Sequence, residues 1–384
     1  MRLFKCQACG QTVYFENTRC VRCGSRLGYL SEIGLMSALE PDVSPDLLAL
    51  LDATGLRDAA ALPPHAEEVW LSYLRPGQRY RFCANVGHVG CNWLVPVEDA
   101  EPRCAACRHN RHVSDPGQDD NLARWRQLER AKRRLFYSLL RLRLPMPTKA
   151  ERPEGLAFDF LADPPDPKLP RVITGHANGL ITIALQEADD VEREKMRKSL
   201  GEPYRTLLGH FRHESGHYFW NLLVRDSGQL EACRALFGDE RIDYGKSLKA
   251  YYIHGAPADW PGRFVSAYAT MHPWEDFAET WAHHLHLLDT LETAGAHGVE
   301  VHPRDRGGTI RAVVNFDPYL TKDFDPVIGN WLPLSLAVNS LNRSMGQPDL
   351  YPFVMSGTVI KKLRFIHDLV QEHRARAESR KSLA

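Results

Sequence analysis

Eight of the nine cysteines fall within the first 107 residues, and their spacing constrains the fold of that region more than any other feature of the chain. Cys6 and Cys9 are followed by Gly10, and Cys20 and Cys23 by Gly24, so two Cys-x-x-Cys-Gly knuckles offer four thiolates to one tetrahedral ion. Glycine after the second cysteine lets the backbone turn tightly enough for its amides to point at sulfur. Cys83, Cys91, Cys104 and Cys107 form a second, less regular set, with His88, His109 and His112 nearby as substitute ligands. Zinc is the default metal for both sets, although paired knuckles of the first form also hold iron. Closed four-thiolate sites leave no position open for catalysis, so both are read as structural. The ninth cysteine, Cys233, is read as a buried thiol.

A chain of 384 residues holds two or three domains of ordinary size. Its 48 Lys and Arg balance 48 Asp and Glu, which gives no global basic excess to steer it to nucleic acid or anionic lipid. The start MRLFKCQACGQ lacks an apolar run behind basic residues, and no stretch approaches the ~18 apolar residues of a spanning helix. These features lead to the expectation of a cytoplasmic protein without a membrane anchor.

Three segments are expected. Residues 1–115 read as a small, β-rich, metal-stapled region, with strand-like runs at 12–15 and 93–97 and a helix-like insertion over 44–62. Residues 116–150 read as a connecting helix: apolar side chains recur at helical spacing from Leu122 to Leu142, and Arg126, Arg130, Arg133, Arg134 and Arg141 share its outer surface. Seven prolines between Pro145 and Pro170 then mark a boundary or a surface loop. Within 151–384, Asn178-Gly179 joins two strand-like runs as a hairpin, and Leu180–Leu185 is a candidate edge for an extended substrate. Helical patterning follows over 189–291 and 326–373, and the tail from Arg374 onward is expected to fray.

The chemistry lies in His213-Glu214-Ser215-Gly216-His217. On a helix, residues i and i+4 share a face, so His213 and His217 can reach one zinc while Glu214 addresses the water that such an ion activates. A third histidine six residues after His217 is excluded, because Leu223 stands there. The third ligand is then a carboxylate from a later helix. Glu275 and Glu279 lie one turn apart, so one can ligate while the other hydrogen-bonds a ligand imidazole. His210, His283, His284 and His286 are read as packed or solvated, and His272 competes with Tyr268 for a role in stabilising an oxyanion.

This pattern resembles the gluzincin metallopeptidases, and closely the catalytic domain of anthrax lethal factor-like enzymes. The resemblance covers residues 205–290 and rests on HESGH and on the run from Ser266 to Glu279. It implies His213, His217 and Glu275 as zinc ligands, Glu214 as general base, Tyr268 as oxyanion partner and Glu279 as the carboxylate behind a ligand. Arg212, directly before the first ligand, departs from the usual uncharged residue. The whole chain is similar to bacterial metallopeptidases in which zinc ribbons precede such a domain. The expected fold class is therefore α+β, a β-rich zinc-ribbon region followed by a mainly helical zincin-like domain with a small antiparallel sheet. The expected cofactors are one catalytic and two structural zinc ions. The expected partner is a peptide or protein substrate, with a protein partner for the ribbons. The rival readings are a catalytically silent binding module and, less favoured, a nucleic-acid protein.

Overall fold

The computed structural model describes residues 1–42, 68–118, 120–166, 168–199, 205–304 and 310–382, so the helix expected over 44–62 lies outside the described residues. The chain divides into two compact units, Met1–Leu140 and Arg141–Ala384.

In the first unit β1 (Phe4–Lys5) pairs with β2 (Thr12–Val13), closing the loop that carries the first knuckle. An antiparallel five-stranded sheet follows, in the order β3 (Arg26–Leu30), β4 (Leu35–Pro41), β5 (Val69–Ser72), β6 (Arg75–Phe82) and β7 (Leu94–Pro96). Leu30, Leu39, Trp70, Tyr80, Phe82 and Leu94 bury one core against it. A second, aromatic core joins Phe15, Tyr29 and Trp93, with Phe15 ring centroids 4.8 Å from Tyr29 and 6.1 Å from Trp93. Edge-on packing of this kind adds to simple area burial.

The short helix α1 (Val86–Val89) and strand β8 (Asn110–Val113) lead to helix α2 (Asn121–Arg141). Tyr137 of α2 packs 5.3 Å from Phe15, so the helix belongs to the core of this unit. The basic outer face expected for it is incomplete. Lys132 and Arg133 are buried, and Lys132 forms a buried ion pair with Glu129 at 2.8 Å.

In the second unit β9 (Ala157–Leu161) is followed by β10 (Gly175–Ala177) and β11 (Leu180–Ala184). Asn178 and Gly179 both have positive φ, 48° and 82°, the backbone of the two-residue turn that the sequence signals. Two expectations are corrected here. The sheet is mixed, because β11 runs antiparallel to β10 but parallel to β9. Leu180–Ala184 is flanked on both sides, so the free edge is β10. The proline-rich stretch read as a loop also contains β9, whose Phe158 and Phe160 are fully buried and pack near Phe211.

Helices make up the rest: α3 (Asp190–Ser199), α4 (Leu207–Trp220), α5 (Leu230–Phe237), α6 (Tyr244–His254), α7 (Pro273–Ala296), α8 (Asp325–Ser344) and α9 (Gly357–Ser382). The tail expected to fray continues as helix to Ser382. Thr206 caps α4 by accepting from the Gly209 amide at 3.0 Å. His272 caps α7 by accepting from the Trp274 amide at 3.1 Å, with Pro273 in the first turn.

Helices α4 and α7 cross at Gly216. A Cβ there would sit 2.8 Å from the Ala278 Cα and 3.2 Å from the Ala278 carbonyl oxygen. Trp281 completes the contact, stacking on Phe219 at 4.9 Å and donating to Ser215 Oγ at 3.1 Å. Gly216→Val should therefore destabilise the second unit by about 3 kcal/mol or more, because overpacking against backbone cannot relax by a rotamer change. The helix propensity recovered is only a few tenths of that, roughly 0.5 kcal/mol. A denaturant midpoint equal to wild type would show that the two helices can separate freely at this point.

Candidate active site

Around the first knuckles, Cys6 Sγ lies 3.6 Å from Cys23 Sγ, and Cys9 Sγ lies 3.5 Å from Cys20 Sγ. In the second set Cys91 Sγ lies 3.7 Å from Cys104 and 3.8 Å from Cys107. Tetrahedral zinc with 2.3 Å bonds to sulfur has edges of about 3.8 Å, so both sets fit that ion. Each set groups four cysteines without a histidine. His109 instead packs on Phe136 at 4.9 Å.

The tight turns expected at the glycines are present: Gly10 and Gly24 take φ of 75° and 74°, and their own amides close back on the Cys6 and Cys20 carbonyls rather than on sulfur. The two sets differ in exposure. Cys23 is exposed, whereas Cys83, Cys91, Cys104 and Cys107 are all buried. Below the second set Glu129 accepts from Asn110 at 2.6 Å and from Trp125 at 3.2 Å, and the charge of Arg133 is favoured by the neighbouring thiols.

In the second unit α4 and α7 bring His213, His217 and Glu275 together, with their donor atoms within 4.8 Å of one another. His213 Nε2 lies 3.0 Å from Glu275 Oε2, and His217 Nε2 lies 3.4 Å from Glu275 Oε1. Glu275 is buried in the first turn of α7, where the helix dipole favours a carboxylate. Its Oε2 has no hydrogen-bond partner despite that neighbour. Buried acceptor atoms that converge without satisfying one another call for a cation between them.

The charges agree. Burial opposes ionisation of Glu275, yet the two imidazoles hold its carboxyl well below the usual range. Burial also opposes a charge on His213, but Glu275 and Glu279 outweigh it and raise its pKa well above the ordinary histidine value. An anionic cluster that draws a proton onto a buried imidazole suits a divalent ion in the proton's place.

The alternatives left open by the spacing are now separated in space. Glu279 faces the other ring nitrogen, His213 Nδ1, at 2.6 Å, and accepts from Ser266 Oγ at 2.5 Å. Glu279 is thus the carboxylate on the Nδ1 side of His213, and Glu275 is the one that faces both rings. Glu214 is buried on α4, and its Oε2 has no hydrogen-bond partner. The Tyr268 ring lies 6.1 Å from that of His213, beside the cluster, while His272 is committed to capping α7 and to the Ile242 carbonyl at 3.1 Å. Burial raises the Tyr268 hydroxyl pKa, so it remains a proton donor.

Four other histidines singled out in the sequence have partners away from the ligand cluster. His283 meets the Tyr351 hydroxyl at 2.5 Å, His284 meets His367 at 3.3 Å, and His286 meets Arg212 at 2.6 Å. His210 faces Glu187 at 3.2 Å. Arg212 is explained by the same contacts. Its buried guanidinium pairs with Asp289 at 2.7 Å and with His286, both on α7, and makes no recorded contact with the ligand cluster. Cys233 is buried, and its thiol pKa is pushed up to about 12.

Three neighbours have no signal in the sequence. Trp274 packs on His217 at 3.9 Å between ring centroids, His176 of β10 lies 6.1 Å from the same ring, and Tyr244 of α6 donates to Glu275 Oε1 at 3.0 Å. Trp274 at least adjoins the ligand in sequence. Tyr244 stands 31 residues before Glu275, and nothing in its local pattern marks it.

The family described as "Putative zinc-binding metallo-peptidase" matches residues 121–369, and a zinc-ribbon domain matches residues 3–118. Uncharacterized proteins of Mycobacterium tuberculosis and Mycobacterium bovis are 40% identical over 376 residues, covering 97% of this chain and 96% of each relative. No solved structure matches the chain. No helix among the described residues is long and apolar enough to cross a membrane.

Proposed function

Since the chain belongs to the zinc-binding metallopeptidase family matched over residues 121–369, we propose that it hydrolyses peptide bonds as an HExxH enzyme of the gluzincin type. The observation that carries this reading is the convergence of His213, His217 and Glu275, with Glu279 behind His213. These three would hold the zinc ion. When bound, zinc would supply Lewis acidity, lowering the pKa of water towards about 7 and polarising a carbonyl.

The chain's own residues do the rest. Glu214, beside the ligands with a free carboxylate oxygen, takes a proton from the attacking water and returns it to the leaving amine. Tyr268 donates its hydroxyl proton in a hydrogen bond to the developing oxyanion. Glu279 holds His213 in one tautomer. An extended substrate pairs with the free edge of β10, which runs past His217 through His176. The two four-cysteine sets hold structural zinc, and the ribbon region offers a surface for a protein partner.

Metal content per chain tests the reading without knowledge of the substrate. We expect three zinc ions in the wild type and two in a His213→Ala/His217→Ala variant. Two ions in both proteins would empty the helical site and leave the chain as a binding module.

A further inference from the structure

Among the described residues, the Tyr244 hydroxyl donates to Glu275, the carboxylate of the ligand cluster. Tyr244 sits at the first turn of α6, which begins at the Asp243 cap, whose side chain accepts from the Lys246 amide at 2.9 Å. No residue of this 11-residue helix is buried. The Tyr244 side chain is partly exposed, yet its hydroxyl reaches Glu275, which is 2% exposed. The helix touches the site a second time at Tyr251, whose ring meets that of Tyr268 edge-on at 5.7 Å.

A ligating carboxylate has two oxygens, and what each one meets decides which of them faces the ion. Glu275 Oε1 accepts the Tyr244 hydroxyl at 3.0 Å and has His217 Nε2 at 3.4 Å, whereas Oε2 has no hydrogen-bond partner and lies 3.0 Å from His213 Nε2. Resting on the metal-site reading above, we infer that Tyr244 is a positioning residue: its hydroxyl holds Oε1, leaves Oε2 as the single oxygen offered to the metal, and couples α6 to the ligand cluster. Hydrogen bonds to a ligating carboxylate change metal affinity by about 10–100-fold when removed.

The test uses the full chain and the metal alone. Tyr244→Phe removes one oxygen and keeps the ring packing on His272 and Trp274, at 5.3 and 6.2 Å. The affinity of the third site is measured by competition with a chromophoric chelator, with the cysteine sites as internal controls. Cobalt(II) is then loaded and its d–d absorption recorded, because band position and intensity report coordination number and geometry. The expected result for Tyr244→Phe is about 10–100-fold weaker binding at the third site, a changed cobalt spectrum, and an unchanged melting transition of the protein with zinc in its cysteine sites alone. Tyr252→Phe, exposed on the same helix, should leave all three as in the wild type. Wild-type affinity and spectrum in Tyr244→Phe would overturn the role of Tyr244 alone. A wild-type chain that takes up no third ion would overturn this inference together with the metal-site reading. A melting shift in the variant with zinc in its cysteine sites alone, with no spectral change, would make Tyr244 merely structural, and would overturn the inference too.

Discussion

Peptide hydrolysis is expected to fall by about 10²–10⁴-fold in Glu214→Gln, with metal content unchanged. The two halves of this expectation have separate causes. Glutamine keeps the shape and the burial of the side chain but cannot accept a proton from water at neutral pH. Among the described residues the Glu214 side chain makes no hydrogen bond, and its Oε2 is without a partner, so the substitution breaks no such bond holding α4 in place. The ligand atoms belong to other residues, so the ion should stay. The measurement is product formation from a proteome-derived peptide mixture, scored by mass spectrometry for wild type and variant at equal zinc load. Equal product from both would remove Glu214 as the base. Loss of zinc along with activity would instead make it part of the ligand set.

The second large effect is on folding. Cys104→Ser should abolish cooperative folding of the first unit and release one zinc per chain. Binding of zinc to a four-cysteine site is worth roughly 10–16 kcal/mol, comparable to or larger than the ~5–15 kcal/mol that holds a domain together. Cys104 is buried with its three partners, its amide donates to Cys83 Sγ at 3.3 Å, and Cys107 Sγ lies 3.8 Å from Glu129 on α2. Losing that centre also removes the cysteine sulfurs that favour the buried charge of Arg133. Uncompensated buried charge adds to the cost. Cys23→Ser should do less, because Cys23 is exposed and its nearest recorded side-chain contact beyond the other cysteines is Ser25 Oγ at 3.2 Å. Near-ultraviolet circular dichroism and zinc release, compared between the two variants, decide the point. A sharp, wild-type melting transition in Cys104→Ser would mean that the aromatic core of Phe15, Tyr29 and Trp93 suffices by itself.

What the sequence reveals is what is local. Cysteine spacing brings both four-sulfur sets into view, and the i, i+4 rule places His213 and His217 on one face, because a few consecutive residues fix those geometries. The division of labour between Glu275 and Glu279 is not local. It depends on which turn of α7 faces α4 across Gly216, so the residues alone leave it open. Tyr244 comes from another helix and is invisible for the same reason. Burial of Arg133 escapes a reading of helix faces, since a guanidinium sits inside only where thiols and Glu129 compensate it. Strand β9 hides among prolines, whose breaking tendency says nothing about the five extended residues between them, four of which are apolar. The edge role passes from Leu180–Ala184 to Gly175–Ala177 because the parallel neighbour β9 is far away in sequence.

The close crossing at Gly216 has a kinetic consequence. It is a contact of backbone against backbone, made without any metal, and it fixes the separation of the helices that carry His213, His217 and Glu275. A helix separation set by packing predicts that loading of this site is a simple bimolecular capture whose rate is first order in free metal. At the cysteine knuckles, built on turns and two-residue strands, capture and folding are one event. A chain emerging into scarce metal would thus need its structural ions early and could accept the third at any later time.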